Sequence, residues 1–224
     1  MTTLNPMSGA PARGASAAAG QTKVRRPQAE RSADTVGKVI EATIKSLHAL
    51  GYSQTTVKTV AEMAGVSRGA LTHQFPSKVD LMLAVVKSVY EADALYYATV
   101  LGPLPPREAI ARFPEAMWEV FSRPSAIAVT EIMLASRSDP ILQKQLGSMQ
   151  AEIDAQAGWL MVHWFKAGGL EDRKDGAAVH RLLVAAVRGL AIEAVSSGQP
   201  APSKDAVKVL TEVVGLLYPQ LKSS

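Results

Sequence analysis

The sequence predicts an all-α protein, and three observations carry that reading. From Asp34 almost to the C-terminus, apolar residues recur every three or four positions, the spacing of a helix face. No stretch alternates apolar and polar residues with a strand's period of two, and no hairpin dipeptide separates β-branched runs. The breaks between apolar stretches are helix punctuation: glycine just past an end, proline just inside a start, and Ser, Thr or Asp at cap positions. No internal repeat is present.

Composition narrows the class. A chain of 224 residues, 47% of them apolar, can bury a substantial core as one compact domain or two small ones. The absence of cysteine excludes disulfides and thiolate metal sites and suits a reducing compartment. No apolar run reaches the roughly 18 residues that cross a bilayer, and residues 8–20 are mostly Ala, Gly, Ser and Pro, unlike a signal peptide. The expectation is a soluble cytoplasmic protein. Net charge is +4, and it is unevenly placed. Residues 1–80 carry ten Lys/Arg against five Asp/Glu, whereas the remainder carries fourteen against fifteen. A basic end beside a neutral one points to an anionic partner, most often nucleic acid or a membrane surface.

The elements run in order along the chain. Residues 1–27 are low in complexity, end in "KVRRP", and read as a disordered tail with a basic arm at Arg25 and Arg26. A first helix starts at Asp34, with Val36, Ile40, Ile44 and Leu47 on one face, and Gly51 stops it. A short second helix covers "TVKTVAEMA", capped by Thr55 or Thr56. A third lies between Ser67 and Pro76. Ser77 opens a fourth, with Asp80 as its capping-box partner, running to Leu101. "GPLPPRE" is a stiff break; Pro106 begins a fifth helix, which Pro114 should kink and which ends near Arg123. A sixth runs from about Ser125 to Arg137 and a seventh from about Asp139 to Lys166, stopped at Gly168-Gly169. The loop "EDRKD" leads to an eighth, ending at Ser197, and "GQPAP" separates that from a ninth, about Ser203 to Tyr218.

The stretch "AGVSRGALTHQFPSK", residues 64–78, is unlike the rest of the chain. Val57, Val60, Ala61 and Ala64 form the inner face of the second helix, and the small Ala61 permits a close helix crossing. Gly65 sits where a left-handed conformation turns the chain, Ser67 is an N-cap, and Leu71 and Phe75 anchor the third helix from inside. Pro76 ends it. Arg68, Gly69, Thr72 and His73 are left on the outer side, which makes a helix-turn-helix. A recognition helix enters the major groove N-terminus first, so Ser67, Arg68 and Gly69 come nearest the base edges. An arginine bonds guanine O6 and N7 together, and a threonine methyl packs on thymine. Lys78 and the Thr55 and Thr56 hydroxyls suit phosphate oxygens. The arm at Arg25 and Arg26 either reaches the adjacent minor groove or is a solvated linker.

"TTVKTVAEMAGVSRGALTHQFPSK", residues 55–78, resembles the DNA-binding region of tetracycline-repressor-like (TetR-family) transcriptional regulators, and the likeness extends from about Asp34 to Val85. The resemblance implies a homodimer of about nine helices, with an N-terminal reading head and a ligand-responsive C-terminal part. It implies a base-contacting role for Arg68, Gly69 and Thr72, and a phosphate role for Thr56, His73 and Lys78. Thr72 stands where the family usually has tyrosine.

The expected organisation is therefore a tail at 1–27, a reading head at 28–78 and a ligand-binding and dimerisation domain at 79–224. Helix eight, "AAVHRLLVAAVRGLAIEAV", is apolar almost all round, and helix nine adds an apolar stripe, so a partner should cover part of them. Leu183, Val187, Leu190, Leu210 and Leu217 are the expected dimer contacts. Aromatics gather in helices four, five and seven, so Tyr97, Trp118 and Phe121 are candidate ligand walls, with His163 as polar handle and Glu131 second. No cofactor or metal is expected: the phosphate-cradling loop, HExxH and nucleophile elbow are absent, and the four histidines show no ligand spacing. The resulting reading is a ligand-responsive repressor, not an enzyme, that releases a pseudo-palindromic operator on binding a small molecule. Its rivals are a helical small-molecule carrier or enzyme with an incidental helix-turn-helix, and a structural DNA binder of little sequence preference.

Overall fold

The computed structural model describes residues 28–170 and 175–222. Among the described residues there are nine α-helices, two short 3-10 turns and no strand: α1 (Gln28–Gln54), α2 (Val57–Ala64), α3 (Arg68–Gln74), α4 (Lys78–Val100), α5 (Pro106–Phe121), α6 (Pro124–Ala135), a turn at Ser136–Ser138, α7 (Pro140–Ala167), α8 (Gly176–Ser197), α9 (Pro200–Leu217) and a turn at Pro219–Lys222. The tail with Arg25 and Arg26 lies outside the described residues.

Local chemistry accounts for the boundaries. Gly51 takes φ 75°, ψ 175° and breaks the helical path inside α1, as its place after the apolar periodicity predicts. α1 itself begins earlier than Asp34, because polar residues extend a helix without adding to the buried face that periodicity detects. α6 stops at Ala135 rather than Arg137. There the Ser136 hydroxyl donates to Met133 O at 2.8 Å and Ser138 to Ala135 O at 3.0 Å, side-chain bonds that favour a tighter turn. α9 starts at Pro200, not Ser203, since proline in a first helical turn gives up an N–H with no helical partner. Pro114 is buried within α5, which continues through it.

Two apolar clusters organise the molecule. The first joins Val39 and Leu47 of α1, Val60 of α2 and Leu71 of α3 to Leu81 and Val85 of α4, Ile132 of α6 and Leu142 of α7. The second joins Met117 and Trp118 of α5, Met161 and Phe165 of α7, Leu183 and Val187 of α8, and Val207 and Val214 of α9. Each such side chain contributes about 1.5–3 kcal/mol on burial. The first cluster crosses the expected domain boundary at residue 78. α1 packs on α6 more extensively than any other two helices pack, so the head shares its core with α4, α6 and α7.

Candidate nucleic-acid interface and ligand region

α2 and α3 meet at a sharp corner that the sequence builds step by step. Thr56 Oγ1 accepts from the Thr59 amide at 3.1 Å and caps α2. Gly65, at φ 65° and ψ 34°, is left-handed and closes α2 through its N–H to the Ala61 and Glu62 carbonyls. Ser67 Oγ accepts from the Ala70 amide at 3.1 Å and opens α3. Leu71 is fully buried and Phe75 nearly so, which fixes the rotation of α3. Arg68, Gly69, Thr72 and His73 are exposed on its outer side, as the spacing predicts. Thr72 donates to Arg68 O at 3.0 Å and Gly69 O at 3.2 Å, so its hydroxyl is held against its own helix.

Two residues grouped with this surface sit differently. Thr55 is buried and shares hydrogen bonds with Ser46 Oγ at 3.0 Å and Gly51 O at 2.8 Å, so its hydroxyl is structural and only Thr56 remains at the surface. Lys78 is half-buried; its Nζ donates to Tyr52 O at 2.7 Å and stands 3.9 Å above the Tyr52 ring. Burial lowers the pKa of this ammonium, and Asp139 raises it in part. A lysine ammonium has three donors, so this bond leaves others for a phosphate.

The region between α4, α5, α7 and α8 is aromatic, with Phe113 at its centre. Tyr97, Trp164 and His180 have ring centroids 5.7, 5.8 and 5.8 Å from Phe113. Asp93 is buried beside them, and burial pushes its carboxyl up to about 6 against the pull of Arg123, whose Nη1 is 3.7 Å away. Arg123 also covers the Tyr96 ring at 4.4 Å. Burial, then the Asp93 charge, raises the Tyr97 phenol, and burial lowers the His180 imidazole. Arg188 lies over Phe121 at 5.5 Å.

Of the expected ligand residues, Tyr97 makes a ring contact with Phe113 at this centre. Phe121 lies under Arg188, whereas Trp118 is buried beside a groove between α4, α5 and α9. His163 is exposed and stacked on the exposed Trp159 at 5.4 Å, on the outer face of α7 and apart from the interior cluster. Glu131 is also elsewhere: its Oε2 accepts from the Tyr52 amide at 3.1 Å. The interior polar groups are instead Asp93 and His180. The sequence signal for them is register alone, which does not say which face turns inward: Asp93 continues the buried stripe Met82, Val86, Val89 of α4, and His180 precedes Leu183 and Val187 by three and seven residues.

The expected dimer residues divide in the same way. Leu183 and Val187 are buried within the protomer, Leu190 and Leu210 are half-buried, and Leu217 is exposed. The outward apolar face is made of Leu182, Val209, Val213 and Leu216, around a shallow groove lined by Ala185, Ala186, Gly189 and Leu210. A helix apolar on all sides does not reveal in its sequence which side faces its own core.

Residues 39–85 match the model of the bacterial regulatory proteins, tetR family. The HTH-type transcriptional regulator CymR of Pseudomonas putida is 32% identical over 174 residues, covering 76% of this chain and 84% of that protein. A TetR transcription regulator from Haloarcula marismortui ATCC 43049 has a similar fold, with TM-score 0.68 and 16% identity over 82% of this chain and 98% of that one. The multidrug binding protein EbrR, solved with imidazole, gives TM-score 0.53 and 23% identity over 79% and 93% of the two chains. With the capped corner and the outward face of α3, these likenesses show that the chain belongs to the tetR family of bacterial regulatory proteins and is a DNA-binding transcriptional regulator built on a helix-turn-helix.

Proposed function

We propose that this regulator is a homodimeric repressor that holds a pseudo-palindromic operator and releases it when a small molecule enters the α4–α5–α7–α8 region. The observation that carries the DNA reading is the exposed side of α3, where Arg68, Gly69, Thr72 and His73 stand free of the core while Leu71 and Phe75 lock the helix. Arg68 and Gly69 follow the Ser67 cap and meet base edges; Thr72 offers its methyl, since its hydroxyl bonds backward. Thr56, His73 and Lys78 hold phosphates along the flanks, and Arg25 and Arg26 extend the contact to the adjacent groove.

The effector reading rests on chemistry of the kind ligand sites use: apolar walls with a few convergent polar groups. Tyr97, Phe113, Phe121 and Trp164 supply the walls; Asp93, His180 and Arg188 supply the polar groups. The protein acts in the cytoplasm, beside the DNA it reads. No helix among the described residues is long and apolar enough to cross a membrane.

The test is selection of bound fragments from genomic DNA, followed by titration of the recovered fragment and of random DNA across salt concentrations. A recovered palindrome, bound far tighter than random DNA, supports the repressor reading. Equal affinity for every fragment, with salt dependence alone, makes the protein a non-specific DNA binder. Deleting residues 1–27 should weaken operator binding at low salt; unchanged affinity removes the arm from the interface.

A further inference from the structure

One residue of the reading head is held from two distant helices at once. Gly51 leaves the helical path, and its ψ of 175° turns the next peptide N–H outward. That N–H, on Tyr52, donates to Glu131 Oε2 of α6 at 3.1 Å across 79 residues of sequence. The carbonyl of the same residue accepts from Lys78 Nζ at the start of α4 at 2.7 Å, and the Tyr52 ring lies under that ammonium. Glu131 also lies against Gly51, where a Cβ would stand in ordinary contact with Glu131 Oε2 at 3.4 Å. Asp139, the N-cap of α7, bears electrostatically on both Tyr52 and Lys78. Tyr52 lies four residues ahead of the Thr56 cap of α2, so a shift of Tyr52 reaches the start of the α2–α3 unit through a short link.

We propose that Tyr52 is the joint through which α4 and α6 together set the tilt of α2 and α3, and that Glu131 is the positioning residue on the α6 side. This rests on the regulator reading and adds a residue and a route to it. The broad apolar contact between α1 and α6 glues the head to the body but is non-directional. The Glu131 bond is directional, so a rotation of α6 by a fraction of a turn either carries the corner with it or breaks the bond. Lys78 then fixes the other side of the same peptide unit, so shifts of α4 and α6 are compared at one residue.

The joint is tested by hydrogen–deuterium exchange of full-length protein, with and without the operator fragment recovered by selection. In the free protein, Glu131→Ala should speed exchange of the peptide spanning residues 45–60 by roughly 3- to 10-fold, the loss of one net hydrogen bond. Glu131→Gln keeps a carbonyl oxygen for the Tyr52 amide and should restore near-wild-type exchange. On operator, the wild type should gain protection in α6 as well as in the head. The alanine variant should protect its head alone and bind operator several-fold more weakly. Unchanged exchange in the DNA-free alanine variant overturns the joint, and that arm stands even if no operator is found. An α6 response of equal size in the alanine variant and the wild type overturns it as well. If Glu131→Ala does not fold, Glu131→Met, which keeps length without an acceptor, takes its place in both arms.

Discussion

At the scale of single residues, Arg68 and Asp93 make opposite demands on their surroundings. Arg68 is exposed, and its value lies wholly in what it meets outside the protein. Arg68→Ala should therefore cost about 1–3 kcal/mol on the selected operator and much less on random DNA, with no change in melting temperature. Equal losses on both DNAs, in filter binding or fluorescence anisotropy, would remove it from base reading. Asp93 has its value inside. Its folded pKa, pushed by burial from the usual 3.8 up to about 6, means that the folded state holds a proton the unfolded chain gives up. Stability from this group is fully present below about pH 4 and is lost as pH rises through about 6. Asp93→Asn should flatten that fall, so its melting temperature exceeds wild type at pH 8 and not at pH 4; identical slopes in calorimetry would show that Arg123 compensates the charge. The sequence made the first residue legible and not the second. Arg68 is marked by a turn glycine, a cap and two anchors in fixed register, all local. Which of Glu131, His163, Asp93 and His180 faces the interior depends on how long helices rotate against one another, and a helix such as α7 offers an apolar residue on nearly every side.

At the scale of elements, helix ends were legible wherever a single residue enforces them. Gly51, Gly65 and Gly198 take positive φ, and Thr56, Ser67, Ser77 and Asp139 accept the amides of the turns they open. The ends that moved are those set by competition, as at Ser136, or by tolerance, as at Pro200. Gly65 gives the cleanest test because a Cβ there would meet nothing within 4 Å. Its substitution by alanine carries the conformational cost of a left-handed residue and no clash, about 1–2 kcal/mol. Gly65→Asn should cost less, since asparagine tolerates that conformation. Urea unfolding of the two variants checks this; equal loss from both would mean that the corner is free to relax. Ser77, whose box with Asp80 is formed in both directions, should cost about 0.5–2 kcal/mol on conversion to alanine.

At the scale of the whole molecule, the question is which apolar surface belongs to the protomer and which to its mate. Leu183 is 3% exposed and packs with Val187 and Phe165 in the second core, whereas Leu216 is 72% exposed on the outer face of α9. Leu182, Val209 and Val213 continue that face, and the Ala185, Ala186 and Gly189 groove between α8 and α9 offers room for close approach of another helix. A monomer leaving this stripe in water would lose about 25 cal/mol for each Å² that a partner could cover. Two substitutions that look alike in sequence should thus fail differently. Leu183→Glu buries an unpaired charge within the protomer, costs several kcal/mol and should unfold it. Leu216→Glu places its charge on the exposed α8–α9 face, which we propose as the two-fold contact, and should give a monomer that keeps its helical circular dichroism. One α3 reads one half-site, and half-sites one turn apart, about 34–36 Å, need two heads held at fixed separation. The Leu216→Glu monomer should therefore lose operator affinity by orders of magnitude while keeping its weak affinity for random DNA. Light scattering and anisotropy on the same samples decide the point: a Leu216→Glu protein that remains dimeric, or a monomer that binds operator as the wild type does, would move the two-fold contact away from α8 and α9.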